Sequence, residues 1–236
     1  MSSMRILKAD FHIHTQEDPK DRIRYTAREL IDYASYRGFE VLAITNHDVV
    51  TCGRGLREYA HRKGILLIPG IEASVSHKHV ILLNVEDFSP KQTTTLEDIK
   101  RYKNDDSLVV APHPYFPMLQ GLGSRLDKAI DIFDAIEYTH FYFRGVNFNR
   151  KAQRRAKKHN LPLVGVSDAH FLWQVGITYS LIEAEKNIQS VIRAIKKNRV
   201  KIVSSPMRFT GPSILLGLRH LSGQVFNHKY WSKTAC

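Results

Sequence analysis

Short apolar runs alternate with helical patterns along almost the whole chain, and this alternation limits the fold more than any other feature. The runs are "ILKADFHI" (6–13), "FEVLAIT" (39–45), "GILLIPGIEASV" (64–75), "HVILLNV" (79–85), "SLVVAPH" (107–113), "DAIEYTH" (134–140), "LPLVGVSD" (161–168) and "VKIVSS" (200–205). They are rich in β-branched residues and bounded by Gly, Pro, Asp or Asn, as strands are. Between the first two, Ala27, Leu30, Ile31 and Ala34 recur at helical spacing, with Thr26 as a cap and Gly38 as a stop. Further helices are expected over about 54–63, 95–104, 147–159 and 187–198. Strands that alternate with helices predict an α/β fold with a largely parallel sheet, closed as a barrel or left open and doubly wound.

A chain of 236 residues, 43% hydrophobic and 25% charged, is long enough for one well-filled domain. It has no apolar run near the roughly 20 residues of a membrane span, and "MSSMRILKAD" is not a signal peptide, so a cytoplasmic protein without membrane contact is expected. Two cysteines, Cys52 and Cys236, exclude a disulfide framework. The formal net charge of +12 favours anionic partners, although "NRKAQRRAKKHN" (149–160) also reads as the solvated face of a helix. After Pro206 the alternation stops, which divides the chain into a domain over 1–205 and an appendage over 206–236.

In parallel α/β folds, polar residues at the C-terminal ends of strands converge on one face, where ligands bind. The rule selects His12 and His14, His47 and Asp48, Glu72, His113, and Asp168 and His170. His79 begins a run expected to return antiparallel after a hairpin, which brings its start to the same face. Residues i and i+2 on a strand point the same way, so H-x-H and D-x-H each present a chelating pair. Imidazole and carboxylate together suit divalent zinc, manganese, iron or nickel, and a shared glutamate can bridge two ions. His61, His77, His140, His159, His220 and His228 read instead as surface or hydrogen-bonded core histidines.

"DFHIHT", "AITNHD", "IPGIEAS", "APHP" and "GVSDAH" occur in that order, and this order resembles the polymerase and histidinol phosphatase (PHP) superfamily of metal-dependent phosphoesterases over about residues 5–205. The resemblance implies a distorted (β/α)7 TIM-like barrel with two or three divalent metal ions (Zn, Mn or Fe) at its mouth. By the same resemblance His12, His14, Glu72 and Asp168 hold one ion, and Glu72, His79 and His113 a second. Asp18, His47 and His170 hold a third, with Glu17 and Asp21 as alternatives to Asp18. Both His77 and His79 are available for the second site, and His79, next to the apolar run, matches the family pattern.

The expected catalytic set is His12, His14, Glu72, His113, Asp168 and His170, acting through attack of a metal-activated hydroxide on phosphorus. Asp48 is a candidate to orient a ligand, and Lys78, Arg144 and Arg150 are candidates to bind substrate phosphate. Tyr115, Phe116, Tyr142 and Phe143 could stack on a base or pack the barrel rim. With little beyond the barrel, the chain reads as a stand-alone phosphoesterase of a small phosphorylated metabolite or nucleotide. The alternatives are a nuclease, a histidinol-phosphate phosphatase, and a non-catalytic nucleic-acid-binding barrel; the last conflicts with the near-complete ligand set.

Overall fold

The computed structural model describes residues 3–207, so most of the expected appendage, with His220, His228 and Cys236, lies outside the described residues. In chain order the elements are β1 (Arg5–Asp10), α1 (Ala27–Tyr36), β2 (Val41–Ile44), α2 (Arg54–Arg62), β3 (Leu66–Val75), β4 (Lys78–Leu83) and β5 (Leu108–Ala111). They continue with α3 (Arg125–Lys128), β6 (Ala135–Tyr138), α4 (Asn149–His159), β7 (Leu163–Gly165), β8 (Thr178–Ala184), α5 (Ile188–Lys196) and β9 (Val200–Ser204). The strands form one nine-stranded sheet in the order β7-β6-β5-β4-β3-β2-β1-β8-β9.

The sheet is less parallel than the alternation predicts. β1–β2, β2–β3, β5–β6 and β6–β7 pair parallel, whereas β3–β4, β4–β5, β1–β8 and β8–β9 pair antiparallel. The reason lies in the connections. Ser76 and His77, both at positive φ, turn β3 directly into β4, and a two-residue turn cannot carry a parallel crossover. The expected helix at 95–104 is a 3-10 stretch, Glu97–Tyr102, in which Ile99 is the one buried residue, so no apolar stripe exists to hold an α-helix on the sheet.

The two ends of the sheet approach each other and almost close a barrel. The Ser180 hydroxyl accepts from Gly165 N and donates to Gly165 O, both at 2.9 Å, in place of a strand ladder. A Cβ on Gly165 would stand 2.6 Å from Tyr179 O, so only glycine permits this approach. Alternate residues of the strands, among them Leu7, Ala9, Val41, Ala43, Ile81 and Val110, form the enclosed core, joined by Val191, Ile192 and Ile195 of α5. On the outer face Leu42 and Ile44 pack with Leu30 and Ile31 of α1 and Ala60 of α2. Each such fully buried Val, Leu or Ile side chain stabilises the fold by about 1.5–3 kcal/mol relative to exposure. Thr26 caps α1 in a reciprocal box with Glu29, and the Glu17 carboxylate accepts from Ala27 N. These bonds fix the loop between β1 and α1 against the mouth of the barrel.

Candidate metal centre

The mouth is a buried polar layer above the apolar core. His12, His14, Asp18, His47, Glu72, His79, His113 and Asp168 are all buried there, and His170 is partly buried. His12 and His14 follow β1, where Ile13 bridges to Thr45 and Ala169 and turns both imidazoles inward. His47 follows β2, His113 follows β5, and Asp168 and His170 follow β7. Glu72 lies within β3, and its backbone pairs with the 46–48 segment, while His79 is the second residue of β4, opposite Ser74. The hairpin leaves His77 exposed in the turn and His79 buried in the mouth.

Glu72 is the hub. Its Oε2 lies 3.5 Å from His12 Nε2, 3.3 Å from His14 Nε2 and 3.1 Å from His47 Nε2. Its Oε1 lies 2.7 Å from His79 Nδ1 and 3.2 Å from His113 Nε2. Asp168 Oδ1 approaches His12 and His14 Nε2 at 3.4 and 3.5 Å. Behind this layer, His12 Nδ1 donates to Glu137 Oε1 at 2.9 Å, and His14 and His47 Nδ1 donate to Asp18 Oδ2 at 2.8 and 2.9 Å.

That backing determines the tautomers. A carboxylate only accepts, so a ring backed in this way donates from Nδ1, and in its neutral form it turns the Nε2 lone pair into the mouth. The lone pairs of His12 and His14 then meet at 3.1 Å and face the oxygens of Glu72 and Asp168. Acceptor against acceptor is unfavourable unless a cation lies between them. Separations of 3.1–3.5 Å suit adjacent ligand atoms held about 2.0–2.2 Å from a shared ion. His79 Nδ1, 2.7 Å from Glu72 Oε1, is buried yet in no hydrogen-bond geometry, as expected of two ligand atoms aimed at a third centre. The donor set therefore fits divalent metal ions, and the groups that could hold one are His12–His14–Glu72, His12–His113–Asp168, His47–Glu72–His79, His14–Asp168–His170 and His14–Asp18–Asp21–His47.

Titration points the same way. Burial alone lowers the pKa of His12, but the carboxylates of Asp168, Glu137 and Glu72 raise it well above the ordinary value. Burial likewise opposes ionisation of Glu72, but the imidazoles around it hold its carboxyl well below the usual range. The pocket thus selects positive charge at its centre. Asp168 and His113 are held at φ 47° and 28°, a left-handed conformation that costs roughly 1–3 kcal/mol each outside glycine and that concentrates at functional sites.

The group His14–Asp18–Asp21–His47 includes a residue that the sequence left among alternatives. Asp21 Oδ2 lies 3.0 Å from His170 Nε2 and 3.6 Å from His47 Nδ1, so Asp18 and Asp21 both belong to this corner while Glu17 caps α1. Glu137 and Asp10 escaped sequence reasoning. Glu137 backs His12 and accepts from His113 N at 3.0 Å through its other oxygen. Its signal was an acid flanked by apolar residues in the middle of the run 134–140, in a strand whose end reaches the mouth.

The expected phosphate binders are distributed differently. The Lys78 ammonium donates to the carbonyls of Leu119 and Gly121 at 2.5 and 2.9 Å, which ties down the loop after His113. Arg144 and Arg150 are exposed, with no ion-pair partner among the described residues. Asp48 does not touch His47; its carboxylate accepts from Ser74 N and pairs with Lys20. Phe116 packs against Phe141 and Phe148, Tyr142 against Tyr138, and Lys151 lies over Tyr115, so these aromatic residues pack the rim. Among the described residues no helix is long and apolar enough to cross a membrane.

Residues 146–200 match the PHP-associated family model. An uncharacterized protein of Methanocaldococcus jannaschii is 28% identical over 64% of this chain and 92% of its own length. The phosphoribosyl 1,2-cyclic phosphate 1,2-diphosphodiesterase of Eggerthella lenta is 34% identical over 34% of this chain and 32% of its own. Among solved structures, one described as a metal-dependent phosphoesterase from Bifidobacterium adolescentis superposes with a TM-score of 0.58 at 15% identity, covering 84% of this chain and 99% of that one. The lesion-specific endonuclease of Pyrococcus furiosus gives 0.59 at 15% identity, over 84% of this chain and 58% of that one. The match of residues 146–200 to the PHP-associated model, the barrel fold shared with these structures and the order of the five sequence motifs all mark a resemblance to the polymerase and histidinol phosphatase superfamily.

Proposed function

We propose that the chain is a metal-dependent phosphoesterase whose catalytic unit is residues 1–205 and whose substrate is a small phosphorylated metabolite or a nucleotide. The observation that carries this reading is the convergence of His12, His14, His47, His79 and His113 on the single carboxylate of Glu72. One ion would be held by His12, His14, Glu72 and Asp168, a second by Glu72, His79 and His113, and a third by Asp18, His47 and His170 with Asp21 beside them. Divalent zinc, manganese or iron bound there supplies a lowered pKa to water and neutralises phosphate oxygens.

The chain's own groups do the rest. Glu137 holds the proton of His12 at Nδ1 and aims its Nε2 inward, and Asp18 Oδ2, beside Nδ1 of both His14 and His47, orients those two rings. Buried side chains keep bulk water from the floor of the mouth, which strengthens the attraction between the centre and an anionic ester. A nuclease is the second reading. It draws on the fold shared with the Pyrococcus furiosus endonuclease and on the exposed cations of α4, among them Arg150, Arg154 and Lys158.

The test is elemental analysis of the purified full chain, followed by hydrolysis of a phosphomonoester and of a short oligonucleotide with added Mn or Zn. Hydrolysis that disappears in His12→Ala and Asp168→Ala, both retaining the wild-type circular dichroism spectrum, supports the reading. No hydrolysis of either substrate under any metal sinks it, and cleavage of the oligonucleotide alone selects the nuclease.

A further inference from the structure

Beside the metal centre, and sharing His170 with it, lies a cleft of about 460 Å3 lined by Arg24, Tyr25, Tyr33, Phe171, Leu172 and Trp173. This volume is within the range of small-molecule sites, and the lining is mostly aromatic. Trp173 is 47% exposed, an uncommon position for the largest apolar side chain, and Phe171 stacks beside it at 6.3 Å between centroids with 27° between the planes. Another cleft of similar size, along Glu17, Arg28 and Cys52, shares no residue with the set around Glu72.

The wall is held from beneath. Gln174 Oε1 accepts from the backbone N–H of His170 and of Phe171, both at 2.8 Å, and Gln174 Nε2 stands 3.3 Å from His140 Nε2. One buried amide therefore sets the position of a residue of the centre and of the aromatic wall together. Across the cleft, Arg24 is exposed and pairs with no carboxylate among the described residues. Ile23 and Tyr25 on either side of Arg24 are buried, which turns its side chain outward over the cleft.

We infer that this cleft is the subsite for the planar base of a nucleotide-type phosphoester, stacked on Trp173, with Arg24 attracting a second anionic group of the same molecule. A base has a π-face that suits an exposed indole, and an arginine supplies both charge and a flat partner. His170 lines the cleft and also belongs to the His14–Asp168–His170 group, so a base seated there lies one residue away from the metal centre. The inference rests on the phosphoesterase reading, which it narrows to base-bearing substrates.

The test uses the full chain carrying Trp231→Phe, so that emission reports Trp173 alone. Two hydrolysis-resistant probes are compared on the metal-loaded protein: the phosphonate analogue of adenosine 5′-monophosphate, and that of ribose 5-phosphate. The adenosine probe is expected to quench emission and to bind about tenfold more tightly, a factor within the range for stacking one base. By calorimetry Trp173→Ala is expected to lose that advantage, Trp173→Phe to retain most of it, and Arg24→Ala to weaken the adenosine probe while reducing its salt dependence. Equal affinity for the two probes, or an undiminished base preference in Trp173→Ala, overturns the inference. A phosphorothioate oligonucleotide distinguishes the carrier: tighter binding than the mononucleotide assigns the subsite to a strand, weaker binding to a free nucleotide, and both support it. Hydrolysis of ribose 5-phosphate by added metal reports on the centre alone, so its failure is separable from failure of the cleft.

Discussion

On one side of Glu72 the imidazole of His12 and the backbone N–H of His113 are held by Glu137, whose side chain is 1% exposed; on the other, the imidazoles of His47 and His170 meet Asp21, whose side chain is 34% exposed. The inner half is built from strand ends that the barrel itself fixes. In the outer half, Asp18 and Asp21 come from the loop between β1 and α1, and Asp18 Oδ1 must accept from Lys20 N and Asp21 N to hold that loop in place. A ligand fixed by strands and shielded from water binds a cation more strongly than one carried on a hydrated loop. The two halves should therefore differ in affinity, with the outer site filling last and emptying first.

The sharpest probe is the residue both halves share. Glu72→Gln keeps the shape of the side chain and removes the charge that faces five imidazoles. Elemental analysis should show metal lost from both halves at once. Turnover should fall by more than about 100-fold, above the 10–100-fold typical for loss of a group behind a ligand. Full metal content in this variant would mean that the halves are independent, and the comparison would fail.

Glu137→Gln acts on the inner half alone. The amide still accepts from His113 N, but no longer enforces the His12 tautomer, so metal affinity should drop about 10–100-fold in the inner site while the outer one is unchanged. Competition with a fluorescent chelator separates the two. An effect confined to the outer ion would reverse the assignment of Glu137.

These differences track what was legible in the sequence. H-x-H and D-x-H are local, because residues i and i+2 share a face in any extended segment, and the antiparallel return of β4 followed from the short hairpin. Glu137 was not visible, since an acid in the middle of "DAIEYTH" looks like the solvated face of a strand until the barrel closes over it. The choice among Glu17, Asp18 and Asp21 needed the path of a loop, which periodicity does not encode. β8 was missed for a different reason. Its buried face is Thr178, Ser180, Ile182 and Ala184, so two of four inward positions are hydroxyls and the apolar alternation is absent. Ser180 is polar because it replaces a ladder partner for Gly165, a role that exists only once the sheet curls round.

Asp10 lies under the inner half and gives it a pH signature. Burial drives its pKa up to about 7, with the hydrogen bonds from Ser167 and His12 opposing the shift, and its Oδ2 has no partner. Between about pH 4 and 7 the native state then holds a proton that the unfolded chain has released. Stability falls as pH rises through that window, by about 1.4 kcal/mol per unit, and levels off above it. Asp10→Asn has no such proton. Relative to wild type it should gain about 1.4 kcal/mol between pH 5 and pH 6 in urea unfolding of chelator-treated protein. An unchanged difference at the two pH values would show an ordinary carboxyl, and the inner half would be wetter than its burial indicates.

Asp21→Asn should have the smallest effect. The amide can still accept from His170 Nε2, and Asp18 continues to back His14 and His47, so the corner keeps its geometry and loses one partly hydrated charge. Burial raises the pKa of Asp21, but the hydrogen bond from His170 and the charges of His14 and His47 bring it down to about 2, so the carboxylate is ionised wherever the histidines are neutral enough to bind metal. Its loss should weaken the outer ion by less than about tenfold, at the low end for an outer-shell group, and leave the inner ions in place. Metal titration with calorimetry resolves this as a change in one binding step. A drop as large as that of Glu137→Gln would show that hydration does not separate the halves, and that the loop holds its ion as firmly as the strands hold theirs.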